Sequence, residues 1–260
     1  MMKKTIAAIL AFLVLSLPCW GALDFISGNS EDIAITDNGS LDLQAQDFSI
    51  MAWMKWDILT NTQGIFNVVT DADNGIYFFW IESDHATKPG LSCQINYGAG
   101  DGNKVFGRLA TATWTPNIGQ WYHIVITFDK SADECYFYVD GAIKTDQGEV
   151  KDLISGTGTN IHIASRGGSN YFDGGFFDVR VYNRMLTDSE IATIYAAQGN
   201  DCIVSGLKGW WRLDEKPTGQ TASGANTIRD LSGNVNHGTP ANTPTYEAVP
   251  MAIIKPIQGG

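Results

Sequence analysis

The chain has 260 residues, of which 44% are hydrophobic and 17% charged, so it can build one large domain or two small ones and is too apolar to stay disordered. Its 28 glycines point to many tight turns, and its 12 Phe, 9 Tyr and 8 Trp suit a sheet-rich protein. A formal charge of −11 argues against nucleic acid and against anionic membrane surfaces, because both attract basic patches; neutral glycans and cations remain.

The first segment reads as a secretory signal peptide. Lys3 and Lys4 give a positive start, Ile6 to Leu17 is apolar apart from Ser16, and Pro18-Cys19-Trp20-Gly21-Ala22 follows. The run is too short for a permanent membrane anchor. Cleavage after Gly21 would leave small residues at the last and third-last leader positions, and loss of two lysines would take the charge from −11 to −13. An acylated Cys19 is the competing reading, but Pro18 stands where a small residue is wanted. The expectation is a leader over 1–21 and a secreted, extracellular chain with no membrane insertion of the mature protein. Three cysteines then remain, Cys93, Cys135 and Cys202. They allow at most one internal disulfide, in any of three pairings, and their spacing matches no zinc motif. Buried thiols acting as small hydrophobes are the alternative to a bridge.

From Phe48 onward most of the chain alternates with period two. Phe48 to Trp56 is apolar on both faces at its centre, as in a sandwich interior. Strands are predicted next over Gly75 to Glu82 and over Leu91 to Tyr97, where Leu91, Cys93, Ile95 and Tyr97 alternate with Ser92, Gln94 and Asn96. Further strands are predicted at Trp121 to Phe128, Cys135 to Val139, Ile161 to Ala164 and Phe176 to Tyr182. Asp140-Gly141 supplies the positive φ of a type I′ hairpin turn. Asp37-Asn38-Gly39, Asp73-Asn74-Gly75, Gly98-Ala99-Gly100 and Gly167-Gly168 mark other turns, at the spacing of an all-β sandwich.

One helix is predicted near residues 187–198. Thr187-Asp188-Ser189-Glu190 is a capping box, Ile191, Ile194 and Tyr195 form the apolar stripe, and Gly199 is placed to end it in a left-handed conformation. After Asp201 a short strand is predicted at Lys208 to Leu213, and 214–250 carries little periodicity. A stretch that long either wraps the domain as ordered loop or links to something else.

These residues resemble the LamG-like jelly-roll domains of the concanavalin A-like lectin/glucanase superfamily. Ala22-Leu23-Asp24-Phe25 with Ile33-Ala34-Ile35 resembles the opening strands. Phe48 to Lys55 resembles the F-T-I-S-A-W-V-K strand, and Gly119 to Asp129 with Phe137 to Gly141 resembles the central hairpin. Phe172-Asp173-Gly174 with Asp178 to Thr187 resembles the last strand and the start of the helix. Together these cover about residues 22–198. Gly209 to Glu215 and Asp230 to Gly238 resemble a segment that normally precedes the opening strands. The resemblance implies an all-β, two-sheet antiparallel jelly-roll sandwich over 22–250, with 207–250 folding back to complete it and 251–260 as a C-terminal tail. A second copy cut short is the rival, and it would leave Trp210 and Trp211 without a partner sheet.

Glycoside hydrolases occur among such relatives, and retaining chemistry needs two carboxylates about 5–5.5 Å apart. No E-x-D-x-x-E run is present. Asp133-Glu134 would point to opposite faces, and Glu82-Ser83-Asp84 beside His85 would share one, though a solvated strand end explains it as well. The resemblance further implies one structural calcium, bound through hard oxygens, with Glu31, Asp32, Asp178 and Asp230 as candidates. Phe177 stands where relatives often carry an acid, and surface charge is the alternative for all four. Aromatic platforms for a sugar are Trp80 with His85, Trp114 and Tyr171, with core or rim packing as the competing role. Trp53, Trp121 and Trp210 are assigned to the core and His123 to a structural place. The expected function is non-catalytic, lectin-like binding of an extracellular or cell-surface glycan. The alternatives are a polysaccharide-acting hydrolase or lyase, and a structural adhesion module with a protein partner.

Overall fold

A computed structural model of the chain describes residues 21–249 except 37, 44–45, 72–73, 82–89, 98–103 and 145–160. The expected leader, apart from Gly21, and the tail 251–260 therefore lie outside the described residues. Strands β1 (Gly21–Phe25), β2 (Asp32–Ile35), β3 (Phe48–Trp56), β4 (Gln63–Asp71) and β5 (Asn74–Ile81) come first. They are followed by β6 (Gly90–Tyr97), β7 (Lys104–Ala110), β8 (Trp121–Asp129), β9 (Glu134–Val139), β10 (Ala142–Lys144), β11 (Ile161–Ile163) and β12 (Gly174–Tyr182). Helix α1 (Asp188–Ala197) precedes β13 (Leu207–Trp211), β14 (Gly238–Ala241) and β15 (Thr245–Ala248).

All the pairings are antiparallel and fall into two sheets, the sandwich expected from the alternation and the jelly roll implied by the resemblance. One sheet runs β10-β9-β8-β3-β12-β1-β15, with β13 also on β12; the other runs β14-β2-β11-β4-β5-β6-β7. β12 changes partner along its length. Its first half pairs with β1 and its second half with β13. The switch occurs at Asp178, which takes φ 51° and breaks the register with β3 as a bulge.

Alternation decides which side chains meet between the sheets. Ile76, Phe78 and Trp80 of β5 point inward beside Leu91, Cys93 and Ile95 of β6, and face Ile50, Ala52, Met54 and Trp56 of β3. Asp140 and Gly141 both have positive φ and join β9 to β10 as the predicted hairpin. Among the longer strands, β4 and β7 carry no clear signal in the sequence. The first mixes Gly64 and Asn67 into an apolar run, and the second contains Gly107 and Arg108, so neither shows a clean alternation.

Helix α1 lies on the outer face of the eight-stranded sheet. Leu186, Ile191 and Ile194 pack there on Met51, Val125, Tyr138, Tyr182 and Leu207. The capping box is formed: the Glu190 amide donates to Thr187 Oγ1 at 3.2 Å, and the Thr187 amide donates to Glu190 Oε2 at 2.9 Å. Arg184 grips the same carboxylate with two bonds of 2.7 Å. The helix ends one residue before the expected stop, because Gln198 itself takes the left-handed conformation and Gly199 continues it.

The segment after 206 is ordered into the sandwich. Trp211 is 0% exposed, has its ring centre 6.2 Å from that of Phe66 across the interior and donates its indole N–H to the Asn236 carbonyl at 2.8 Å. β14 adds to β2, and β15 adds to β1 with Gly21 opposite Ala248. The apparent lack of periodicity over 214–250 reflects short strands divided by tight turns. Trp53 and Trp121 are buried, but on the outer face of the eight-stranded sheet with Phe177. Trp210 is half-buried over Arg180, not in the interior, because it has the opposite phase to Trp211 on β13.

Arg180 fixes the tail to the sheet. It is 1% exposed, binds Asp178 through Nε and Nη2 at 2.8 and 3.0 Å, and binds Asp201 through Nη1 and Nη2 at 2.8 and 2.9 Å. The Trp210 ring covers it at 4.6 Å, and the Trp210 indole N–H donates to Asp178 at 2.7 Å. Removing the cation would leave two buried carboxylates without a counter-charge. Arg180→Leu should destabilise the chain by about 3–5 kcal/mol in denaturant titration. Thr187→Ala, which removes only one cap bond, should cost about 1 kcal/mol by the same measurement.

Candidate functional site

The outer face of the seven-stranded sheet is polar where its inner face is apolar. His162 of β11 is paired with Asn67 of β4, Asn67 with Tyr77 of β5, and Tyr77 with Gln94 of β6, so one rung carries four hydrogen-bonding side chains. Ser92, Asn96 and Arg108 share the face through the same alternation, and all seven are less than a tenth exposed. The Gln94 amide donates to Asn96 Oδ1 at 2.9 Å, and Asn67 Oδ1 accepts the Gly167 amide at 3.0 Å. These bonds fix amide orientation. A rung of amide, phenol and imidazole is a poor surface for apolar packing, and its burial makes it a hydrogen-bonding support for the loop beside it.

The loop over 164–171 sits beside this rung. Gly64 has no side chain, and a β-carbon there would overlap the Ser165–Arg166 backbone, so the loop can close on β4. It places the Arg166 guanidinium 5.6 Å from the centre of the Tyr77 ring. Burial comes first among the influences on Arg166 and lowers its pKa from the ordinary value, while Tyr77 opposes this. Gly167 to Asn170 are exposed, and Tyr171 is half-buried with its hydroxyl donating to the Gly168 carbonyl at 2.6 Å.

Three of the four aromatic candidates gather at this end of the sandwich. Trp56 is the hub, with ring centres 6.1 Å from Trp80, 6.0 Å from Trp114 and 5.6 Å from Phe172, the neighbour of Tyr171. Trp80 is 2% exposed and belongs to the interior, which corrects its reading as an open platform; it has the phase of Ile76 and Phe78. Trp114 is half-buried, set edge-on to Tyr122 at 5.2 Å, and Tyr171 remains on the rim. His85, together with the Glu82/Asp84 pair, lies outside the described residues.

The four acids expected to bind calcium do not converge. Glu31 accepts from the Ile26 amide at 2.7 Å and the Asn29 side chain at 3.1 Å. Asp32 Oδ2 is bound by His162 Nδ1 at 2.8 Å and by the Ser165 hydroxyl at 2.6 Å. Asp178 belongs to Arg180. Asp230 accepts from the amides of Trp210, Ser232 and Asn236 at 2.8–3.0 Å and shapes the loop before β14. Each carboxylate already has protein donors. Among the described residues no three His, Cys, Asp or Glu side chains are grouped to hold a metal ion, so the set does not fit a calcium site.

Asp32, His162 and Ser165 include the residue types of an acyl-transfer triad but not its order. Both partners bind one carboxylate oxygen, so Ser165 donates to the acid and not to the imidazole. His123 is buried against Trp53 and Tyr195, with neither ring nitrogen hydrogen-bonded; burial, and then the Arg180 charge, push its pKa down to about 3. It is a neutral packing residue.

The outer face of the other sheet carries an acidic group around Lys55, whose Nζ lies 2.8 Å from Glu247, 3.5 Å from Asp57 and 3.6 Å from Asp24. The lysine stands among the carboxylates, so this is an ion cluster and not the open pair that glycoside hydrolysis needs. Burial, followed by repulsion from Glu247, raises Asp24 to about 6. The stability linked to Asp24 is therefore complete below about pH 4 and lost as the pH rises through 6. Asp24→Asn should melt with the parent at pH 4 and a few degrees above it at pH 7, read by thermal melts at both pH values.

A family profile described as Laminin G 3, of the Concanavalin A-like lectin/glucanases superfamily, matches residues 27–192. A candidate carbohydrate binding protein from Bacteroides ovatus ATCC 8483 superposes with a TM-score of 0.61 at 18% identity, over 90% of this chain and 61% of that one. The chain thus spans about three fifths of that protein. The heptameric SAP-like pentraxin from Limulus polyphemus superposes with a TM-score of 0.50 at 14% identity, over 91% of this chain and 93% of that one. At these identities the likeness is one of fold. No helix among the described residues is long and apolar enough to cross a membrane.

Proposed function

The chain belongs to the Concanavalin A-like lectin/glucanases superfamily, and on that footing we propose that it is a carbohydrate-binding module that engages a glycan at the 164–171 loop and the aromatic rim beside the buried polar rung. The reading rests above all on the exposed Gly167–Asn170 loop flanked by half-buried Arg166 and Tyr171, with Arg166 held over the Tyr77 ring of the buried row beneath it. The Arg166 guanidinium and the polar groups of the exposed loop suit sugar hydroxyls, and Tyr171 and Trp114 offer aromatic surface at the rim. The Bacteroides ovatus structure, described as a candidate carbohydrate binding protein, agrees with this reading. The leader-like residues 1–21 support a place outside the cell, where extracellular or cell-surface glycans are the partners. The lysine-filled acidic cluster favours binding over hydrolysis.

A glycan array with the parent, Arg166→Ala and Tyr171→Ala tests the proposal. Both residues are only half-buried, so the variants should melt close to the parent. Binding to the preferred glycan should fall by about tenfold or more in each. Retention of full binding in both variants, or absence of binding by the parent, would overturn it. The array is read with and without chelator, and binding should be the same in both because the candidate metal ligands are occupied by protein donors.

A further inference from the structure

Two of the three cysteines among the described residues meet across the sandwich. Cys93 lies on β6 of the seven-stranded sheet and Cys135 on β9 of the eight-stranded sheet, and both point into the interior, 1% and 2% exposed. Stacked sheets normally stand about 10 Å apart, too far for two cysteines to join without a local approach. Gly107 on β7 permits that approach. It is the direct ladder partner of Cys93, and a β-carbon at Gly107 would overlap the Cβ of Cys135, whose Sγ is 3.2 Å from the same point. Cys135 thus occupies the space of the absent side chain beside Cys93. Directly opposed residues in a ladder hold their β-carbons about 4.5–5.5 Å apart, close to the separation of about 3.5–4.5 Å that a disulfide spans. The neighbouring Cys135 thiol, ahead of burial, pushes the Cys93 thiol well above its ordinary pKa.

We infer that Cys93 and Cys135 are the pair that oxidises, forming a disulfide that ties the two sheets together at the β7/β9 side. Both sulfurs are reduced in the structure, and Cys202 is exposed. The oxidant is a disulfide donor such as oxidised glutathione or a protein disulfide. One cysteine thiolate attacks a donor sulfur and releases the first donor thiol. The other then displaces the second, so two protein thiols are oxidised, one donor disulfide is reduced, and both protons pass to donor thiols. Because the finished sandwich buries both sulfurs, the donor must reach them before the sheets close.

The test is oxidative refolding of the chain from denaturant in a mixture of oxidised and reduced glutathione. Alkylation of remaining thiols and non-reducing peptide mapping by mass spectrometry then read the outcome. The expected result is one linked peptide pair joining Cys93 to Cys135, with alkyl label on Cys202. The same bond should form in Cys202→Ser, and the oxidised chain should melt about 10 °C above the reduced one. A linkage that includes Cys202, or alkyl label on all three cysteines after refolding, overturns the assignment. Mapping of the parent and of Cys202→Ser decides it even if variants at 93 or 135 fail to fold. The outcome does not depend on the carbohydrate proposal.

Discussion

Arg180 holds together three parts of the chain that lie apart in sequence. Its guanidinium binds Asp178 on its own strand and Asp201 beyond the helix, and it lies under the Trp210 ring of the tail. Burying one cation with two anions carries a large desolvation cost, offset here by four short bonds and a covering aromatic ring. An apolar residue could fill the volume, but it could not fix the angle at which the three segments meet. The bulge at Asp178 is part of the same arrangement, because the left-handed turn there lets β12 exchange β1 for β13. Once Trp210 is held outside the sheet, Trp211 must point inward, and its indole N–H then holds Asn236 and the loop that leads to β14.

The polar rung lies on the opposite layer and inherits its order from this framework. β11 contributes His162 only because β2 and β4 flank it, and Asp32 of β2 orients the imidazole. The loop that carries Arg166 is held from below by Gly64 and at its far end by Phe172, which packs on Trp56. The rim is therefore an extension of the aromatic interior, with Trp80 and Trp56 inside and Trp114 and Tyr171 at the edge.

Much of the fold was legible in the sequence, because its signals are local. The capping box at Thr187, the Asp140-Gly141 turn and the phase of Phe48 to Trp56 each depend on neighbours within one element. β4 and β7 were not legible, since Gly64, Asn67, Gly107 and Arg108 are chosen by what lies across the sheet. The candidate site is a matter of register. Ser92, Gln94 and Asn96 announce a polar face, but that Gln94 lies beside Tyr77 and Tyr77 beside Asn67 is decided by the two hairpins. Trp80 could have been placed from its own strand, where Ile76 and Phe78 set the inward phase. The four acids are a different case. Residue type shows that an oxygen can bind a cation, but it cannot show that backbone amides and an arginine have already taken it.

Gly21 and Ala248 face each other on neighbouring strands, so the two directions of the backbone depart from one edge of one layer. Polypeptide attached ahead of the first strand and polypeptide attached behind the last would emerge side by side. A domain wired in this manner can be spliced into the middle of a larger chain, or strung in series, without either connection having to cross the opposite layer.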